Sequence, residues 1–140
     1  MNMFEFNQKI FDLFLNDKVL AELVLDREID VVTEEIKAEF AQRIHQQDRN
    51  PEEFNPEELP MIAIYFSTCR TTANDFMNLG ILRIEIFAEY YGSKVAKIRN
   101  RIVEIMHSEF DERIRGEGQR SSGIKNVYKY RLEFTPLVFT

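Results

Sequence analysis

The residue types that could do chemistry are few and widely spaced. The chain has two histidines, His45 and His107, and one cysteine, Cys69. Neither histidine has a second His or Cys three or four residues away, so neither starts a metal-ligand pattern. His45 reads as an exposed helix-end residue and His107 as a polar-boundary residue on a helix. Cys69 lies beside Arg70, which could lower a thiol pKa, but no histidine is near in sequence. It reads as a semi-buried inert thiol, and a single cysteine can form no internal disulfide. Gly118-x-x-x-x-Gly123 mimics part of a phosphate-binding loop and then fails, because Ile124 follows where lysine is needed. Glu35-Ile36-Lys37 resembles the end of a nuclease motif but falls on a helix. Glu85 and Glu89 could share a metal or a proton. Their preferred reading is cross-strand pairing with Lys129 or Arg131. No catalytic residue, metal site or cofactor is expected, and the chain reads as a non-enzymatic protein.

The elements that would position such groups come from periodicity. Phe4, Ile10, Phe11 and Phe14 recur at helical spacing. Asn16 or Asp17 can cap a short helix carrying Val19, Leu20, Leu23 and Val24, and Thr33 can cap one burying Ile36, Phe40, Ala41 and Ile44. Whether residues 3–45 make two helices or three stays open, and 26–32 reads as a turn or a short extended piece. Three prolines, Pro51, Pro56 and Pro60, mark 46–60 as a linker loop. Residues 61–66 form a compact apolar strand, buried on both faces. Leu82, Ile84, Ile86, Ala88 and Tyr90 alternate with Arg83, Glu85, Phe87 and Glu89, which predicts a strand with one buried and one largely polar face. A polar loop, 67–79, separates the two. Gly92-Ser93 ends the second strand and starts a helix with Val95, Ile98, Ile102, Ile105 and Met106 inside. Residues 116–123 read as a flexible loop. The last strand runs from 127 to 134, limited by Pro136. The expected fold is α+β in a single domain, 1–140. It comprises N-terminal helices (1–45), the linker (46–60) and a β-β-α-β core (61–140), with a small mixed or antiparallel sheet and helices on one face.

Composition narrows the function classes. The 140 residues are 44% hydrophobic and 30% charged, enough for a packed core. The longest apolar run, 61–66, is far short of the ~20 residues of a membrane-spanning helix. The opening Met1-Asn2-Met3-Phe4-Glu5 has no basic region and no long apolar region, so a secretory signal is not expected. The net charge of −6 is uneven: 15 acids and 6 bases in residues 1–60 give −9, and 12 bases against 9 acids in 61–140 give +3. This excludes the dominant positive field of simple non-specific DNA binding. A basic stripe, Lys94, Lys97, Arg99 and Arg101, leaves a nucleic-acid-binding regulatory module as an alternative. Phe54, Phe76, Phe87 and Phe139 occupy places a monomer core hardly needs, which suggests subunit contacts.

Four segments carry a family resemblance: Leu59-Pro60-Met61-Ile62-Ala63-Ile64-Tyr65-Phe66; Ile81-Leu82-Arg83-Ile84-Glu85-Ile86-Phe87-Ala88; Val95-Ala96-Lys97-Ile98-Arg99-Asn100-Arg101-Ile102-Val103-Glu104-Ile105-Met106; and Tyr128-Lys129-Tyr130-Arg131-Leu132-Glu133-Phe134. Together, over about residues 58–136, they are similar to the tail terminator, or tail-to-head joining, proteins of long-tailed bacteriophages. Other connector and neck proteins of phages share overlapping patterns. The resemblance implies a structural virion protein, assembled in the bacterial cytoplasm as a homo-oligomeric ring, usually a hexamer. Such a ring caps the tail tube, meets the major tail tube protein and the head connector, and lets genomic DNA pass without sequence-specific binding. From loop position and residue type, Phe54, Phe76, Met77 and Phe87 are expected as apolar contacts. Arg113, Arg115 and Arg120 are expected to form polar pairs between subunits.

Overall fold

Three N-terminal helices begin where a side chain accepts an amide bond. Asn2 accepts from the N–H of Glu5 at 2.8 Å and opens α1 (Met3–Leu15). Asp17 accepts from Leu20 at 2.9 Å and opens α2 (Lys18–Leu25). Thr33 accepts from Ile36 at 3.3 Å and opens α3 (Glu34–Ala41), with Glu34 and Glu35 in the first turn. Each cap satisfies an N–H that a helix start leaves without a partner, and each favours the start by about 1 kcal/mol. The stretch therefore holds three helices. The third is shorter than its apolar pattern suggests: it ends at Ala41, and Ile44 is buried from a strand instead. The computed structural model describes residues 1–48, 56–71, 77–90 and 92–139, with only the backbone at 56, 68–71, 77 and 78.

The sheet has six strands, β1 (Ile44–His45), β2 (Met61–Thr71), β3 (Met77–Ala88), β4 (Gly116–Ser121), β5 (Tyr128–Phe134) and β6 (Leu137–Phe139). Its order is β1-β2-β3-β5-β4, parallel at β1–β2 and antiparallel elsewhere. The helix α4 (Ser93–Phe110) joins β3 to β4; it starts at Gly92 without a side-chain cap and ends at Asp111 in the left-handed region (φ 52°). This is the expected α+β fold with a small mixed sheet, richer in strands than β-β-α-β. His45 sits in β1, not at a helix end. The presumed polar loop 67–79 is largely ladder: β2 runs on to Thr71 past an irregularity at Phe66/Thr68, and β3 starts at Met77. The glycine-containing stretch after α4 is also a strand, β4, paired along its length with β5. Beyond Pro136 the chain resumes as β6, beside the first part of β3. One flank of the long β3 is thus shared, with β5 on 82–88 and β6 on 77–79.

Period 2 separates the two faces of this sheet. Ile62, Ile64, Leu82, Ile84, Ile86, Leu132, Phe134 and Val138 face the helices and are buried with Phe6, Ile10 and Phe14 of α1 and Leu20 and Val24 of α2. From α4 come Val95, Ile98, Ile102, Ile105 and Met106, the set that helical spacing predicts. Phe6 stacks on Phe110 at 4.7 Å between ring centres and meets Phe66 edge-on at 6.1 Å, closing the core between α1, α4 and β2. On the opposite face Met61, Ala63, Tyr65 and Phe87 make a second, smaller core, with Leu59 and Val127 against it. Residues 61–65 are therefore buried on both faces, as the apolar run suggests.

Candidate interaction surface

The second face of the sheet carries a ladder of charged cross-strand neighbours. Arg83 lies opposite Glu133, Glu85 opposite Arg131, and Phe87 opposite Lys129. Glu85 is wholly buried, and its Oε2 takes Arg131 Nε at 2.7 Å and Lys129 Nζ at 3.4 Å. Arg83 reaches Glu133 at 3.5 Å, and the Lys129 ammonium sits 5.6 Å from the centre of the Phe87 ring. The cross-strand reading of Glu85 holds, and the face expected to be largely polar carries this ladder beside a small closed core. Two cations held against one carboxylate let it leave water, which an isolated carboxylate cannot do at acceptable cost. Glu89 lies outside the strand and is exposed, so the two carboxylates do not form one site. Burial, and then the negative charge of Glu85, pushes the Tyr65 phenol up to about 12.

Phe87 belongs to this inner arrangement. It is 1% exposed, so it packs inside its own chain instead of offering a subunit contact. The expectation failed because the alternating face it lies on is not solvated: Met61, Leu59 and Val127 cover it. Phe54 and Phe76 lie outside the described residues. Met77 opens β3, paired with Phe139.

Arg113, Arg115 and Arg120 border the other edge of the sheet. Asp111 turns the chain out of α4, and the N–H of Arg115 donates to Glu133 O at 2.8 Å, which starts the β4–β5 ladder. The edge strand is fastened to the helix layer by Glu117. Arg99 grips both its oxygens, at 3.1 and 2.6 Å, and the Tyr130 hydroxyl donates to it at 2.5 Å. The Arg99 guanidinium holds the Glu117 carboxyl below the ordinary carboxylate range. Gly118 leaves room for the Arg120 guanidinium, since a Cβ there would lie 2.8 Å from its terminal nitrogen. All three arginines are exposed. None forms an ion pair with a described residue; Arg120 turns back to the carbonyl of Gln119.

The basic stripe of α4 is largely neutralised. Lys94 pairs with Asp26 at 2.9 Å, Arg99 with Glu117, and Arg101 with both Asp17 and Glu104. Only Lys97 of that set forms no ion pair with a described residue, so the stripe is poorly suited to phosphate. Among the described residues no group of three or more His, Cys, Asp or Glu is placed to hold a metal ion. No helix among them is long and apolar enough to cross a membrane.

Exposed apolar side chains gather where the two ends of the chain meet. Phe139 N–H donates to Met1 O at 2.9 Å, and Asn2 bridges Phe139 in parallel. Leu137 pairs with Leu79 across β6 and β3. Leu137 is 55% exposed and Phe139 52%, with Met1 and Leu79 also exposed. Met1, Leu79, Leu137, Arg113 and Arg115 share the lining of one open cleft of about 950 Å³. Phe139 was expected to make a contact; Leu79 and Leu137 were missed. Leu137 directly follows Pro136, which reads as the limit of the last strand, and Leu79 falls in the stretch that reads as a polar loop. No protein-family model matches this chain, and no curated protein matches it.

Proposed function

We propose that this protein is a non-enzymatic subunit of a phage tail terminator ring, located in the virion neck. Copies of it close a collar on the finished tail tube, stop addition of the major tail tube protein, and present a face to the head connector. Genomic DNA passes through the collar. The observation that carries the reading is the exposed apolar end formed by Leu79, Leu137, Phe139 and Met1, beside a sheet edge bordered by three exposed arginines. Solvent-facing leucine and phenylalanine on a strand pair suit a partner surface better than a catalytic cleft. The net charge of −6 suits a conduit that must not hold DNA. The quoted segment pattern of the tail terminators supplies the station along the particle.

Light scattering and negative-stain imaging test this, with the protein alone at high concentration and with purified tail tubes. Rings, free or seated at a tube end, are the expected result. A protein that stays monomeric and never associates with tubes would overturn the reading.

A further inference from the structure

Another open cleft, of about 570 Å³, lies at the end of the sheet where β3 finishes and β5 begins. Tyr128 stands opposite Ala88, the last residue of β3, and Tyr90 follows two residues later. Both tyrosines line the cleft, Tyr90 at 72% exposure and Tyr128 at 40%. Leu59 and Val127, which pack on the small core, give it an apolar part, and Glu89, Lys125 and Asn126 complete it.

The wall that carries Lys125, Asn126 and Tyr128 is a bonded turn. Ser122 is buried, and its Oγ accepts the N–H of Ile124 at 3.1 Å and donates to Val127 O at 2.7 Å. The N–H of Val127 donates to Ile124 O at 3.3 Å, and Gly123 and Asn126 take the left-handed φ values of 78° and 64° that the turn requires. These bonds fix where the three side chains start. The folded chain itself does not use the polar ends in the cleft: Glu89, Tyr90, Lys125, the Asn126 carboxamide and the Tyr128 hydroxyl make no hydrogen bond or ion pair with a described residue.

The lining selects a ligand by what each group would gain. One carboxylate and one ammonium balance, so neither a polyanion nor a polycation meets a favourable field. A wholly apolar ligand would take Glu89, Lys125 and Asn126 out of water and leave them unpaired. A ligand with apolar C–H faces and many hydroxyls suits both kinds of lining. Its faces lie on the exposed phenol rings; its hydroxyls donate to Glu89, accept from Lys125, and do both with Asn126. The volume falls within the ~300–1,000 Å³ of small-ligand clefts, room for a short sugar chain.

We propose that this cleft binds a neutral oligosaccharide, with Tyr90 and Tyr128 as the stacking platforms and Glu89, Lys125 and Asn126 as the hydrogen-bonding groups. The site stands apart from the collar reading, and neither depends on the other.

Amide NMR of the isotope-labelled full chain tests it, with cellobiose, maltotriose and the disaccharide of N-acetylglucosamine as probes, each raised to about 10 mM, above the Kd of about 1 mM expected of an open cleft. At least one sugar should shift the amides of residues 89, 90 and 124–128. Tyr90→Ala and Tyr128→Ala should each weaken that binding by about threefold to tenfold, whereas Tyr90→Phe, which keeps the ring, should bind within about twofold of wild type. The same spectra report whether each variant is folded; should Tyr128→Ala not fold, the largely exposed Tyr90 decides alone. No shift with any of the three sugars, shifts confined to other parts of the chain, or binding indifferent to Tyr90→Ala would overturn the proposal. Adenosine that moves these amides when the sugars do not would also overturn it, and would assign the rings to a planar base.

Discussion

Replacing Arg131 with methionine should destabilise the chain by about 3 kcal/mol, the lower end of the ~3–5 that follows from stripping one partner from a buried ion pair. Glu85 is 0% exposed, its Oε1 accepts no hydrogen bond, and its Oε2 depends on Arg131 at 2.7 Å. With the guanidinium gone, the Lys129 ammonium remains, at 3.4 Å. That residual contact puts the cost at the lower end. Adding Glu85→Met to Arg131→Met removes the stranded carboxylate, so the double variant should return to within about 1 kcal/mol of wild type. Lys129, 13% exposed at its side chain, can then extend its ammonium towards water. Urea unfolding of dilute protein gives both values, and the single variant should melt roughly 10 °C lower. A single variant within about 0.5 kcal/mol of wild type would refute the claim that the ladder holds a buried charge. So would a double variant less stable than the single one.

Two further outcomes concern the phenol beside that ladder and the cap beneath α4. The Tyr65 phenol ionises near 12 in the fold and near 10 in the unfolded chain, so its contribution is complete below pH 10 and is lost as pH rises from about 10 to about 12. Tyr65→Phe should therefore shift the alkaline unfolding midpoint upward; an unchanged midpoint would show that another group sets it. Asp17→Ala removes the α2 cap and the acceptor of two of the three Arg101 side-chain bonds, those at 3.0 and 2.5 Å. It should cost about 2 kcal/mol in urea unfolding, against about 1 for Thr33→Ala, which loses a cap alone.

Much of the helical half is legible because caps and stripes are local. Thr33 names its own helix, Asp17 is one of the two caps that the sequence offers for α2, and α4 buries the five side chains that its spacing selects. The missed elements take their definition from distant neighbours. β4 reads Gly-Glu-Gly-Gln-Arg-Ser, without a single apolar residue, and is a strand because β5 supplies its ladder. β1 exists because Arg43 O accepts from Ile62 N–H at 2.8 Å. Glu85 and Phe87 illustrate the same limit in three dimensions. Alternation places them correctly on one face, but whether that face is wet depends on Leu59 and Val127, far away in sequence. The exposed arginines were legible from loop position and type. That they border a strand edge was not.

How copies of this fold could join is constrained by what is already covered. The helix layer occupies one face of the sheet, and the β2–β3 part of the other is closed by its own small core. On the collar reading, association would therefore fall to the strand edges and the apolar end. β4 offers six residues of edge, roughly 20 Å long and about 10 Å across, or roughly 200 Å². A stable contact covers about 800 Å² on each partner, so pairing through the backbone of β4 alone supplies only about a quarter of it. A ring subunit makes two such contacts, together about a fifth of the 8074 Å² surface of this chain. The remaining area must come from side chains flanking the edge, where Arg113, Arg115 and Arg120 are the long ones. Assembly should consequently respond more to reversing these charges than to blocking one backbone bond of β4, since long side chains around a short edge carry most of the contact.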